Sequence, residues 1–331
     1  MKIELVRPQK LAEDIVILDG GSRAGKTALA PVLSSFRRAE LWFLDPSFEF
    51  FATLHHFGKM DRATCSAMLK LYADMDLYNQ SIGRNTNFRK EDDSSAQRNG
   101  LYRDCLKKTK ALEGDPVIRS IRANHQLLFL VTHCAFGVSQ ILFDAYRERL
   151  KLYLIMKRHP LWLVEGWCQG SWDKRIGSDP RDIQLVCRIR GKNVPWFAYD
   201  WSERYLSCGL VEQAIRTVDY FDRWFDRRLA SLKEADRRKV LYVPFECYAT
   251  DPRPYLKTIT ERLGTRETPF TRSILRKIKI PRVLRQKDYD DQKKKIDRLL
   301  KKGRVPDRAK RILRRLCRDY EKKYFKAWRT Q

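Results

Sequence analysis

Asp14-Ile-Val-Ile-Leu-Asp-Gly-Gly-Ser-Arg-Ala-Gly-Lys-Thr27 decides the fold of this chain. Ile15 to Leu18 is an apolar run too short for a helix, and Asp19-Gly20-Gly21 ends it, so it reads as a buried strand entering a glycine-rich turn. Gly20, Gly25, Lys26 and Thr27 fit the template G-x-x-x-x-G-K-[ST], and residues 28–36 follow as a first helix. Such a turn captures anions. Its glycines let successive backbone N–H groups converge, the helix start adds a positive dipole end, and Lys26 and Arg23 add full charges. A phosphate-bearing ligand is expected, and the template does not choose among them.

Outward from this loop the chain alternates strands and helices. Residues 39–45 are expected as a second strand and residues 126–132 as a third, ending at His133. Residues 150–156 form a fourth, followed at once by Lys157-Arg158-His159-Pro160, and residues 239–245 a fifth that ends at Phe245. Helices are predicted at 138–148, 211–232 and 253–263. This alternation implies an α/β fold with a mainly parallel sheet flanked by helices. Ligands of such sheets sit at the carboxyl ends of the strands, where the loop, His133, Arg158 and Phe245 all fall. Residues 46–126 read as a mostly helical insertion, a lid or substrate-binding region of a domain spanning 1–265.

The 331 residues carry a net charge of +27, and residues 253–331 alone hold 28 basic and 9 acidic residues. Residues 266–331 are accordingly expected as a basic helical extension packed on the domain. Two helices are predicted there, at 289–301 and 306–328. In the second, Ala309, Ile312, Leu313, Leu316, Tyr320 and Tyr324 make an apolar stripe at helical spacing. Arg311, Arg314, Arg315 and Arg318 fall outside it, as an anion-attracting wall beside the cleft. Such a field concentrates polyanions. No run is long enough to cross a bilayer, and the eight cysteines show neither a C-x-x-C pair nor metal-ligand spacing, which points to a cytoplasmic protein with reduced thiols.

Four segments resemble the sulfotransferases that use 3′-phosphoadenosine-5′-phosphosulfate (PAPS), whose fold is related to the P-loop nucleotide kinases. Gly20-Gly-Ser-Arg-Ala-Gly-Lys-Thr27 resembles their 5′-phosphosulfate loop, and Leu130-Val-Thr-His133 the strand end that presents their catalytic histidine. Leu154-Ile-Met-Lys-Arg-His-Pro160 resembles the element whose arginine holds the 3′-phosphate. Val240-Leu-Tyr-Val-Pro-Phe245 and the helix after it resemble the region where an aromatic stacks on adenine. The chain departs from the family at Lys26, where Ser or Thr is usual, and at Gly166, where a serine usually joins the arginine. Lys301-Lys-Gly-Arg304 only faintly resembles the basic-glycine element that closes over the nucleotide.

The resemblance implies sulfuryl transfer from PAPS to a hydroxyl or amine, with no metal required. His133 would be the base, Lys26 and Arg23 would stabilise the leaving phosphate, and Gly21, Ser22, Arg23, Ala24, Gly25, Lys26 and Thr27 would cradle the phosphosulfate. Arg158 would take the 3′-phosphate and Phe245 the adenine. The basic surplus leans toward an anionic or carbohydrate acceptor. Two other classes stay open. A P-loop kinase of a small molecule would use Thr27 and Asp45 to hold Mg²⁺. A non-catalytic nucleic-acid binder would use the basic tail, but aromatic and basic residues are not interleaved there as base stacking requires, so nucleic acid is the weaker partner.

Overall fold

In the computed structural model, which describes residues 3–42, 44–110 and 113–325, the strands are β1 (Asp14–Asp19), β2 (Leu127–Val131), β3 (Leu150–Lys157), β4 (Val186–Ile189), β5 (Lys192–Pro195) and β6 (Val240–Pro244). Four of them build one parallel sheet in the order β2-β1-β3-β6. All six residues of central β1 are buried. Side chains alternate across a strand, so one covered on both faces is apolar on both, as Ile15 to Leu18 are between the aspartates at the strand's ends. Ile15, Ile17, Leu128, Leu130, Tyr153 and Ile155 fill one core, and Val16, Leu18, Phe129, Leu152, Leu154 and Met156 fill the other. A register shift between Ile15 and Val16 steps β3 past Lys151, whose ammonium stays outside and pairs with Asp14 at 3.3 Å.

The first core is roofed by helices Ser47–His56, Arg62–Ser81, Gln140–Tyr146, Pro160–Gln169 and Leu210–Ser231. The second lies under Lys26–Leu33, Phe245–Thr250, Arg253–Leu263 and Pro269–Lys277. Among the described residues, the connection between Lys26–Leu33 and β2 holds four helices, Ser47–His56, Arg62–Ser81, Tyr102–Lys108 and Asp115–Asn124, separated near residues 82–101 by turns.

The second strand expected at 39–45 does not form. Ala39 makes one parallel bridge to Leu127, after which side chains claim the chain. Trp42 N–H donates to Ser34 Oγ at 2.8 Å, its indole donates to Asn99 at 3.0 Å, and buried Glu40 accepts from Lys108, Gln126 and Ser81. These bonds turn the segment off the sheet edge. Phe43, within that segment, lies outside the described residues. The β4–β5 hairpin was not anticipated. Its strands are four residues long and half-exposed, and Arg190 and Gly191 both take positive φ (49° and 77°), as a two-residue hairpin turn requires.

Two further helices, Gln286–Lys302 and Asp307–Tyr324, complete the chain and pack on Pro160–Gln169 and Leu210–Ser231. Ala309, Leu313, Leu316, Cys317 and Tyr320 are the buried face of the second, so the apolar stripe docks as expected, with Cys317 added. Its expected end at Trp328 lies outside the described residues. Among the described residues no helix is long and apolar enough to cross a membrane.

Candidate active site

The glycine loop closes between β1 and the Lys26–Leu33 helix with its carbonyls tied from outside. Lys26 Nζ donates to the carbonyls of Gly20 and Gly21, the Trp167 indole donates to that of Ser22 at 3.1 Å, and Arg158 Nη1 donates to that of Arg23 at 2.8 Å. The backbone N–H groups of Ser22, Arg23 and Gly25 have no partner among the described residues, and those of Lys26 and Thr27 open a helix that lacks a side-chain cap. A loop that satisfies its acceptors and leaves its donors free has N–H groups to offer an anion. Glycine is demanded at two points. A Cβ on Gly20 (φ +133°) would stand 2.6 Å from the Met156 carbonyl oxygen, and Gly25 has φ +100°.

Behind the loop lies a buried set of charges. Asp19 accepts from Gly20 N–H and Phe136 N–H, each at 2.6 Å, and from the Tyr153 hydroxyl at 3.0 Å. Burial pushes its carboxyl above the usual range, against these bonds and the charge of Lys26. Glu49 accepts from His133 N–H at 2.8 Å and from the Cys134 thiol at 3.4 Å, and burial, then Asp19, raise its carboxyl too. Burial lowers the Lys26 ammonium, opposed by Asp19 and Glu49. His133, at the carboxyl end of β2, is pushed down to about 3 by burial and by the charge of Lys26. Its imidazole is therefore neutral through the physiological range.

Arg158 lies at the carboxyl end of β3. Its guanidinium carbon sits 4.9 Å from the Phe245 ring centroid, and its Nε, buried without a hydrogen-bond partner among the described residues, is 4.0 Å from Glu246. Arg282 approaches the same ring at 5.5 Å. Phe245 is 6% exposed, held between these cations and the loop. A Cβ at Gly166 would meet Arg23 Cγ at 2.9 Å, so the missing side chain there makes room for the stem of Arg23. Thr27 and Arg23 are exposed, Gly21 and Ser22 half-buried, and Ala24 buried with its N–H on the Gly21 carbonyl. The structure thus gathers the loop, His133, Lys26, Arg158 and Phe245 at one end of the sheet.

Other expected partners stand elsewhere. Asp45 accepts from Ser47 N–H at 2.7 Å and faces buried Asp76, whose carboxyl is pushed up to about 7 by burial and by Asp45. Gly303 packs against Val211, at the far start of the Leu210–Ser231 helix, and the additional guanidinium near Phe245 belongs to Arg282. The arginine wall is split. Arg315 reaches Asp219 and lines the cleft beside the loop, whereas Arg314 and Arg318 face the Gln286–Lys302 helix. Asp19 was missed as a site residue, and Glu49 was expected only as a reserve for the base, with Asp45. The signal was present in Ser47-Phe-Glu-Phe-Phe51, where one acid stands in an apolar run and must be buried with it.

A cleft of roughly 250 Å³ opens from the loop, lined by Gly21, Ala24, Arg158, Phe221, Arg315 and Tyr320 among others. A smaller cavity meets His133 from the opposite side of Trp167 and Phe221, with Ser22, Trp172 and Phe197 as further walls.

No protein-family model matches the chain, and no curated protein matches it in sequence. Solved structures similar to it include two sulfotransferase domains. One is a sulfotransferase domain from the curacin biosynthetic pathway, 14% identical over 78% of this chain and 76% of that one, with a TM-score of 0.37. The other is a sulfotransferase domain from the Synechococcus PCC 7002 olefin synthase, 17% identical over 82% of this chain and 80% of that one, with a TM-score of 0.38. At these values neither likeness bears on the role of any residue.

Proposed function

We propose that the chain transfers a sulfuryl group from PAPS to a hydroxyl or amine of an acceptor. The observation that carries this reading is a neutral imidazole and a buried ammonium beside a loop with free N–H donors, with Arg158 bonded to that loop's own carbonyl. The donor would supply a singly charged sulfuryl group on a phosphate leaving oxygen. Ser22, Arg23 and Gly25 N–H groups, with the helix start at Lys26 and Thr27, would bind its 5′-phosphosulfate. Arg158 would hold the 3′-phosphate through the donors it does not spend on Arg23, and Phe245 would border the adenine. His133 would take the acceptor's proton on a ring nitrogen, while Glu49 fixes the backbone beneath it. Lys26 and Arg23 would meet the charge that develops on the leaving oxygen.

Thermal denaturation in EDTA tests this reading. Adenosine 3′,5′-bisphosphate is expected to raise the midpoint, since a ligand at one hundred times its dissociation constant adds about 2.7 kcal/mol. Stabilisation by ATP with Mg²⁺ alone would overturn it in favour of a kinase, which the intact Lys26-Thr27 pair also suits.

A further inference from the structure

Away from the loop, the two C-terminal helices enclose a groove that the proposed reaction does not use. Gln286–Lys302 and Asp307–Tyr324 run antiparallel across a short turn, and between them lies a hollow of roughly 460 Å³, within the usual size of small-molecule sites. Leu300, half-buried, lies at its floor, and Leu161, Ile296 and Leu313 close the floor from the core side, 6%, 1% and 3% exposed. Its rim is cationic on both sides, with Lys293 and Lys301 on one helix and Lys310, Arg314 and Arg318 on the other. Lys310 pairs with Asp307 at 3.0 Å, but Lys293, Lys301, Arg314 and Arg318 have no carboxylate within ion-pair distance among the described residues. Of the two acids at the groove, Glu321 accepts from the Tyr289 hydroxyl at 2.7 Å and contacts His159 at 3.2 Å, which leaves Asp297 against the cations.

Like charges facing each other over an apolar trough repel, and an anion between them relieves the repulsion. The charge is densest near the turn, where Lys301, Lys310 and Arg314 meet, and Glu321 lies toward the other end. We propose that this groove binds a single-chain anionic amphiphile, with its hydrocarbon along Leu300, over the buried Ile296 and Leu313, and its head group at Lys301 and Arg314. The hollow is too small for a peptide helix, which is about 10 Å across with its side chains. The apolar floor gives an inorganic anion nothing to fill.

Calorimetric titration of the full chain with sodium decanoate below its micelle concentration tests the proposal. Saturable binding of one decanoate is expected, at least tenfold tighter than butyrate or 1-decanol and weakened by salt. Arg314→Glu with Lys301→Glu should weaken it at least tenfold. Arg314→Gln alone should weaken it severalfold and serves if the double variant misfolds. No binding, equal binding of butyrate, or affinity unmoved in both variants would overturn the proposal. So would binding to phosphatidylglycerol vesicles without binding to monomeric decanoate, which would make this face a membrane contact.

Discussion

The ring of Phe245 lies so close to Gly25 that a Cβ on the glycine would stand 2.3 Å from Cδ2 of the ring. The loop is thereby docked on the end of β6, which ties the expected phosphate cradle to the expected adenine side. Gly25→Ala must pay twice, for a positive φ and for overlap with a ring that Arg158 and Arg282 hold in place. A loss of about 2–4 kcal/mol is expected in urea denaturation, together with lost affinity for adenosine 3′,5′-bisphosphate. Wild-type stability and affinity in this variant would show that the loop does not rest on Phe245.

His133→Ala should retain bisphosphate affinity and lose about 10²–10⁴ in turnover, the usual worth of a positioned base. Because burial and Lys26 hold His133 down to about 3, kcat/KM of the native chain should show no fall from His133 protonation between pH 8 and 5. Unchanged turnover in the variant would pass the role to Glu49, the nearest carboxylate to the same strand end.

The same histidine makes folding sensitive to acid. Its folded pKa lies below its unfolded value, so stability is unaffected above about pH 6.5 and falls as pH drops toward 3, where only the unfolded chain has taken up the proton. Buried Asp76 acts on the other side. Its carboxyl, raised to about 7, favours the fold while protonated in both states, and stability is lost as pH rises from about 4 to 7. Asp76→Asn should therefore raise stability at pH 8, by on the order of 1–3 kcal/mol, and flatten the fall in stability between about pH 4 and 7. A lower midpoint at pH 8 would mean that the ionised carboxylate holds a partner.

Much of this architecture was legible because it rests on local signals. The run Ile15–Leu18 with its glycines, and the strand ends at His133, Arg158 and Phe245, fall where the alternation of apolar runs put them. What escaped was set by tertiary contacts. Residues 39–45 have the composition of a strand, but Ser34, Asn99 and Lys108 compete for their polar groups from distant segments. Asp19 gains its role from burial beside Lys26, which spacing does not encode. The two faces of the arginine stripe differ through a carboxylate, Asp219, that lies 96 residues earlier than Arg315.

That carboxylate separates neighbours that look alike in the sequence. Asp219 is buried on the Leu210–Ser231 helix and is shared by Arg223, at 2.5 Å, and Arg315, which also reaches Asp319 at 3.2 Å. Arg314, one residue away, is exposed with no ion pair to lose among the described residues. Arg315→Glu would place a second negative charge against Asp219 and loosen the terminal helix beside the cleft. With Arg315 partly exposed, a loss of about 1–2 kcal/mol is expected, and Arg314→Glu should stay within about 0.5 kcal/mol. Since Arg315 lines the cleft, its reversal should also raise KM for an anionic donor, and the native advantage should shrink as salt screens it. Equal stability in the two variants would mean that the Asp219 pair contributes nothing to docking the helix. An unchanged KM in Arg315→Glu would place donor binding outside this cleft.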